Sequence, residues 1–150
     1  MMRLISGLVL LLCVCAGCCS FNREWNRVAR QPRWTNEMAG RWTGEWRSER
    51  NGHHGKLQCI ITPHASEAYM ARFHARFWKI FTATYLVPLN ATNMNGEYKF
   101  SGSANLGGLG GGTYSYEGVA TATRFHSTYQ SKYDHGIFEM TRPPAKDAIP

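Results

Sequence analysis

From Gly40 to Arg142 apolar and polar residues alternate with a period of two, interrupted at short intervals by Gly, Asn, Asp and Pro. Such a rhythm suits a half-buried β-strand, whose successive side chains point to opposite faces, and does not suit a helix. Trp42, Gly44 and Trp46 share one face of a first strand, with Arg41, Thr43, Glu45 and Arg47 on the other. Leu57, Cys59 and Ile61 mark a second. Tyr69, Ala71, Phe73, Ala75 and Phe77 point inward along a third, with Arg72, His74 and Arg76 outward. The fourth carries Phe81, Ala83, Tyr85, Val87 and Leu89, and the fifth Tyr98, Phe100, Gly102, Ala104 and Leu106. Tyr114, Tyr116, Gly118 and Ala120 mark the sixth, and Phe125, Ser127, Tyr129, Ser131 and Tyr133 the seventh. A short last strand, residues 137–142, turns Phe138 and Met140 inward.

About eight strands joined by short turns, without crossover helices, predict an all-β domain over residues 40–143: an antiparallel up-and-down barrel. Closure removes the exposed edges, and an eight-stranded barrel is either just filled by side chains or holds one small ligand. Inward positions mix aromatics with Gly, Ala and Ser, as a tapering interior requires. Before the barrel, Phe21, Trp25 and Val28 fall at i, i+4 and i+7, one apolar stripe on a short helix that ends before Pro32 and lies against the domain. Residues 32–39 read as a connector. Pro143 and Pro144 end the last strand, leaving residues 144–150 as a loose tail.

At 43% hydrophobic and 13% aromatic, the chain has the means to bury a core, which argues against disorder. Its charge is basic, 17 Lys and Arg against 10 Asp and Glu. The positive residues are scattered singly along the strands and form no run or helical stripe, so no nucleic-acid partner is expected.

The first residues read as a leader. Arg3 precedes a mostly apolar run, Leu4 to Ala16, shorter than the roughly 20 residues that span a bilayer. Cys15-Ala16-Gly17-Cys18 follows and resembles a bacterial lipobox, with Cys15 where Leu is usual. The resemblance implies a signal peptide over residues 1–17 and a lipidated Cys18 at the start of a mature segment, residues 18–39, that leads into the barrel. The product is then held at a membrane of the bacterial cell envelope, facing the periplasm or the surface. Ordinary cleavage near Gly17, giving a soluble secreted protein, is the alternative. Of the remaining cysteines, Cys19 and Cys59 can pair in an oxidising compartment, although nothing in their spacing requires it. Cys59 sits in the alternating run with Leu57 and Ile61, which favours a buried thiol.

Gly40-Arg41-Trp42, preceded by a short helix and opening the first strand, resembles the Gly-x-Trp signature of lipocalins and the wider calycin barrels. The likeness in layout extends over residues 21–142. It implies that Trp42 plugs the closed end of the barrel and packs on an arginine from the last strand, for which Arg142 is the available position. The Thr-Asp-Tyr that lipocalins carry before the seventh strand is missing.

In an up-and-down barrel alternate connections fall at one end. The loops at residues 51–55, 78–80, 105–112 and 133–136 therefore share a rim, and closure brings His53 and His54 toward Asp134 and His135. Trp78, Lys79, Asn105 and Tyr133 complete this candidate ligand-binding rim. By the calycin resemblance it is the open end. Histidines beside an aspartate can hold Zn²⁺ or supply an acid and a base. The same residues also serve as plain hairpin turns, since Asn, Asp and Gly tolerate positive φ. No metal and no cofactor is expected. The glycine run at residues 107–112 lacks the lysine and following helix of a phosphate loop, and reads as a lid or a tight bend. With no Gly-x-Ser-x-Gly and no base evident for Cys59, no catalytic residue is assigned and the chain is not expected to be an enzyme.

Three functions fit these residues. The first is a barrel that binds a small or amphiphilic ligand through the rim, with an internal cavity of at least roughly 300 Å³. The second is a filled barrel that acts through its basic surface on envelope polymers or a partner protein. The third, a metal-dependent enzyme, requires His53 or His54 to approach Asp134 or His135.

Overall fold

The structure, a computed structural model, describes residues 19–32, 38–77 and 81–144. Eight antiparallel strands run in chain order around a closed barrel: β1 (Gly40–Ser48), β2 (His54–Ala65), β3 (Ala68–Phe77), β4 (Phe81–Met94), β5 (Glu97–Asn105), β6 (Thr113–Ala120), β7 (Arg124–Gln130) and β8 (His135–Thr141). Closure is made by β1 on β8, from Thr43 opposite Thr141 to Ser48 opposite Gly136. The all-β up-and-down architecture expected from the alternation is the observed one.

The parity of the alternation reappears as an inside and an outside. Trp42, Leu57, Cys59, Ile61, Ala71, Phe73, Val87, Leu89, Phe125 and Met140 are buried in one continuous core. Burial of large apolar side chains, about 1.5–3 kcal/mol each, drives the ribbon to roll up. Two strands are shorter than the alternation suggested. β7 stops at Gln130, because Ser131 accepts from the amides of Tyr133 and Asp134 through its hydroxyl and forms a turn. Tyr133 is consequently 58% exposed and not an inward residue of β7. Leu106 lies beyond the end of β5.

Residues 19–29 form a helix, α1, on the outer wall. Its stripe is the expected one: Phe21 and Val28 are buried against Ile60 of β2, with Trp25 packed beside them. Arg41 of β1 lies over the Trp25 ring at 4.9 Å, and His74 of β3 stacks on Phe21 at 4.7 Å. Arg72 ties the helix down through Glu24 and through Ser20 at 2.7 Å. Outward-facing His74 and Arg72 are therefore covered by α1.

The connector ends in structure. Met38 and Ala39 are buried, and the Met38 carbonyl accepts the Trp42 Nε1 proton at 3.0 Å. Gly40 follows with φ 104°, a conformation that L side chains rarely adopt. Trp42 is fully buried, and the Arg142 guanidinium lies 3.7 Å over its ring, the contact implied by the calycin resemblance. The same guanidinium donates to the carbonyls of Ala39, Arg41 and Ala122. One cation thus ties both chain ends of the barrel to the β6–β7 turn and caps this end.

Candidate functional site

Opposite that cap lie the connections β1–β2, β5–β6 and β7–β8, together with the end of β3 at Phe77 and the start of β4 at Phe81. Hydrogen bonds join the first of these connections to the last and brace the β5–β6 connection internally. The amide of Glu49 donates to the His135 carbonyl at 2.9 Å, and Arg50 reaches from the first connection to the Tyr133 carbonyl. In the glycine-rich β5–β6 connection the amide of Leu106 donates to the Gly112 carbonyl at 2.9 Å, and that of Gly112 to Gly107 at 2.8 Å. The glycine run is therefore a compact, internally bonded loop.

Between these connections the barrel holds a cavity of about 730 Å³. Trp46, Phe77, Tyr85, Tyr114, Tyr116, Tyr129 and Phe138 form its aromatic walls. It stays open because small residues stand among them: Ala75 and Ala83 face it, and Gly110 and Gly111 roof it. The rings brace one another, Tyr129 against Phe138 at 5.0 Å and Trp46 against Phe77 at 5.0 Å. Trp46 is held by its Nε1 donating to the Arg76 carbonyl at 3.0 Å.

A seam adds to the opening. β3 pairs with β4 along its whole length, from Ala68 opposite Asn90 to Phe77 opposite Phe81, but β4 pairs with β5 only from Leu89 to Met94. Pro88 offers no N–H to carry the ladder further. At the last paired position, Gly102, a Cβ would stand 2.3 Å from the Pro88 carbonyl, so only glycine allows the strands to stay together there. Beyond it they part, and Thr84 and Leu86, on the outward parity of β4, line the cavity through the gap.

Among the described residues Asp134 is the one carboxylate of the cavity lining. Its Oδ1 accepts the Ser48 hydroxyl at 2.6 Å and the His135 amide at 2.9 Å, and its Oδ2 accepts the Tyr129 hydroxyl at 3.1 Å. Burial first, and then the Asp134 charge, push the Tyr129 hydroxyl well above the usual phenol range. Desolvation does the same to Tyr85 and Tyr116, with the Tyr85 hydroxyl hydrogen-bonded to that of Tyr116. These three hydroxyls remain neutral at any physiological pH.

The proposed rim residues separate into groups. His53, Asn105 and Asp134 line the cavity. His54 lies instead in a groove with Glu45, Lys56 and Arg76. Tyr133 turns to solvent with the Lys132 ammonium 5.4 Å over its ring. The His135 side chain is exposed and only its amide reaches Asp134. Trp78 and Lys79, like Cys18 and the leader, lie outside the described residues. Among the described residues no three His, Cys, Asp or Glu side chains gather closely enough to hold a metal ion. Cys19 is exposed and Cys59 buried, both as free thiols.

Ser48 and Tyr129 were not among the expected site residues. Both were within reach of the alternation: Ser48 continues the inward series of Trp42, Gly44 and Trp46, and Tyr129 that of Phe125 and Ser127. The Pro88 seam had no such signal, because strand pairing is a property of two segments. No family model matches the chain, and neither a curated protein nor a solved structure is significantly similar to it.

Proposed function

We propose that this chain is a lipid-anchored lipoprotein of the bacterial cell envelope whose barrel binds one small or amphiphilic molecule through its open rim, without catalysing a reaction. The observation that carries the binding reading is the aromatic cavity of about 730 Å³ at the end opposite the Arg142 cap. It falls within the roughly 300–1,000 Å³ that small-molecule sites occupy, and it combines apolar walls with a few convergent polar groups. The anchor rests on the sequence around Cys18. His53, Asn105 and Asp134 are the rim residues that meet the ligand.

Titration with the lipophilic dye N-phenyl-1-naphthylamine tests the binding reading. One saturable site with enhanced fluorescence is expected. No enhancement at any dye concentration favours the filled barrel acting through its surface. For the anchor, Cys18→Ser expressed in a bacterial host is expected to leave the membrane fraction, and unchanged membrane association contradicts lipidation.

A further inference from the structure

The chain as a whole carries 17 Lys and Arg against 10 Asp and Glu, yet the described residues of the cavity lining have the opposite sign. Among the described residues no Lys or Arg lines it, and Asp134 is its one acidic residue. None of the ion pairs among the described residues involves that carboxylate. Its partners are neutral, the Ser48 and Tyr129 hydroxyls and a backbone amide. Oδ2 has one protein donor, and a carboxylate oxygen has room for two.

Tyr129 bonds the Asp134 carboxylate directly, and Tyr114, Tyr116 and Phe138 line the same cavity; the face of an aromatic ring is the negative end of its quadrupole. Tyr114 and Tyr129 have their centroids 6.1 Å apart, and Tyr129 and Phe138 5.0 Å. A fixed carboxylate in a cavity walled by aromatic rings favours a cation on two independent grounds: Coulomb attraction, and the ring quadrupoles. An anion meets neither. The Tyr85, Tyr116 and Tyr129 hydroxyls stay neutral, so they do not change this balance with pH below the phenol range.

Resting on the binding reading above, we infer that the occupant is a monocation with an apolar body, an amine or quaternary ammonium. Its charge sits at Asp134 and its hydrocarbon among Trp46, Phe77 and Tyr85. The β4–β5 gap beside Leu86 gives a longer chain a way out of the wall.

Three probes that share one body separate the contributions: octyltrimethylammonium, octan-1-ol and octanoate, each titrated calorimetrically into the protein at moderate salt. The cation is expected to bind at least about tenfold tighter than the alcohol, and octanoate weakest. In Asp134→Asn the cation is expected to fall to the affinity of the alcohol, with the alcohol unchanged. Because Asp134 also braces the β7–β8 turn, a thermal melt accompanies the variant, and the three-probe ranking in the unmodified protein stands without it. Equal binding of all three, or preference for octanoate, overturns the cation inference and leaves the cavity reading intact. Failure of all three to bind overturns both.

Discussion

Trp42 and Trp46 occupy inward positions of the same strand, two steps of the alternation apart, yet one is sealed in a plug and the other walls a cavity. Opposite Trp42 on β2 stands Cys59, with Phe125 5.7 Å across the interior and Arg142 over the ring. Opposite Trp46 stands Gly55, and the neighbouring inward positions are Ala75 and Ala83. Toward the closed end β4 and β5 stay paired as far as Met94 opposite Glu97, whereas toward the open end they have parted at Pro88. The contrast teaches that alternation decides only which residues face inward. Whether they meet is decided by the volume of their partners and by where the strand pairing stops.

The contrast makes the closed end the seat of stability. Trp42→Ala is expected to cost about 3–5 kcal/mol, since it empties a fully enclosed site. Urea unfolding measures this, and a loss below about 1 kcal/mol breaks the comparison. Paired enlargements sharpen it. Ala71→Leu, in the fully buried half, is expected to cost about 1–3 kcal/mol by overpacking. Ala83→Leu grows into the cavity and is expected to leave stability within about 1 kcal/mol while weakening dye binding. Equal costs at the two positions contradict an empty half.

Alkaline pH acts on the open end. Tyr85, Tyr116 and Tyr129 hold their protons in the native state above their ordinary value of 10.0, so above pH 10 the unfolded chain binds fewer protons than the folded one. Stability is therefore expected to be undiminished below pH 10 and to fall above it, by up to about 1.4 kcal/mol per pH unit for each group. Denaturant midpoints across pH 9–11 read this, and a flat profile contradicts buried hydroxyls.

The smallest effect lies outside both ends. Burial under α1, and then Arg76 and Arg72, hold the His74 imidazole below 6.5. The unfolded chain takes up the proton first as pH falls, so the contribution of this contact is present above 6.5 and lost on acidification. Proton NMR is expected to place the His74 titration below 6.5, with Trp25 fluorescence reporting release of α1 at acid pH. Titration at or above 6.5 removes this account of the helix docking.

Much of the architecture was legible in the residues. The two-residue rhythm places Trp42, Phe73, Tyr116 and Phe138 inward, and the Phe21, Trp25, Val28 stripe reads as a helix with one docking face. Less of the site was. Tyr133 keeps the parity of β7 but lies past its end, because Ser131 satisfies the amides of the turn with its own hydroxyl. Parity also could not show that His53 reaches the cavity while His54, its neighbour, turns to the groove beside Lys56. The Ser48, Tyr129 and Asp134 cluster joins β1 to the β7–β8 hairpin, segments far apart in the chain, so it emerges only when β1 meets β8.

The central claim is that one end of this barrel is an occupied plug and the other a receptive cavity. Two-dimensional NMR of the protein titrated with octyltrimethylammonium tests it most directly. The account predicts that the Trp46 indole and the amides of Tyr114, Tyr129 and Asp134 move saturably while the Trp42 indole and Arg142 stay in place. Shifts confined to the outer strand faces, or spread equally over Trp42 and Trp46, would contradict it.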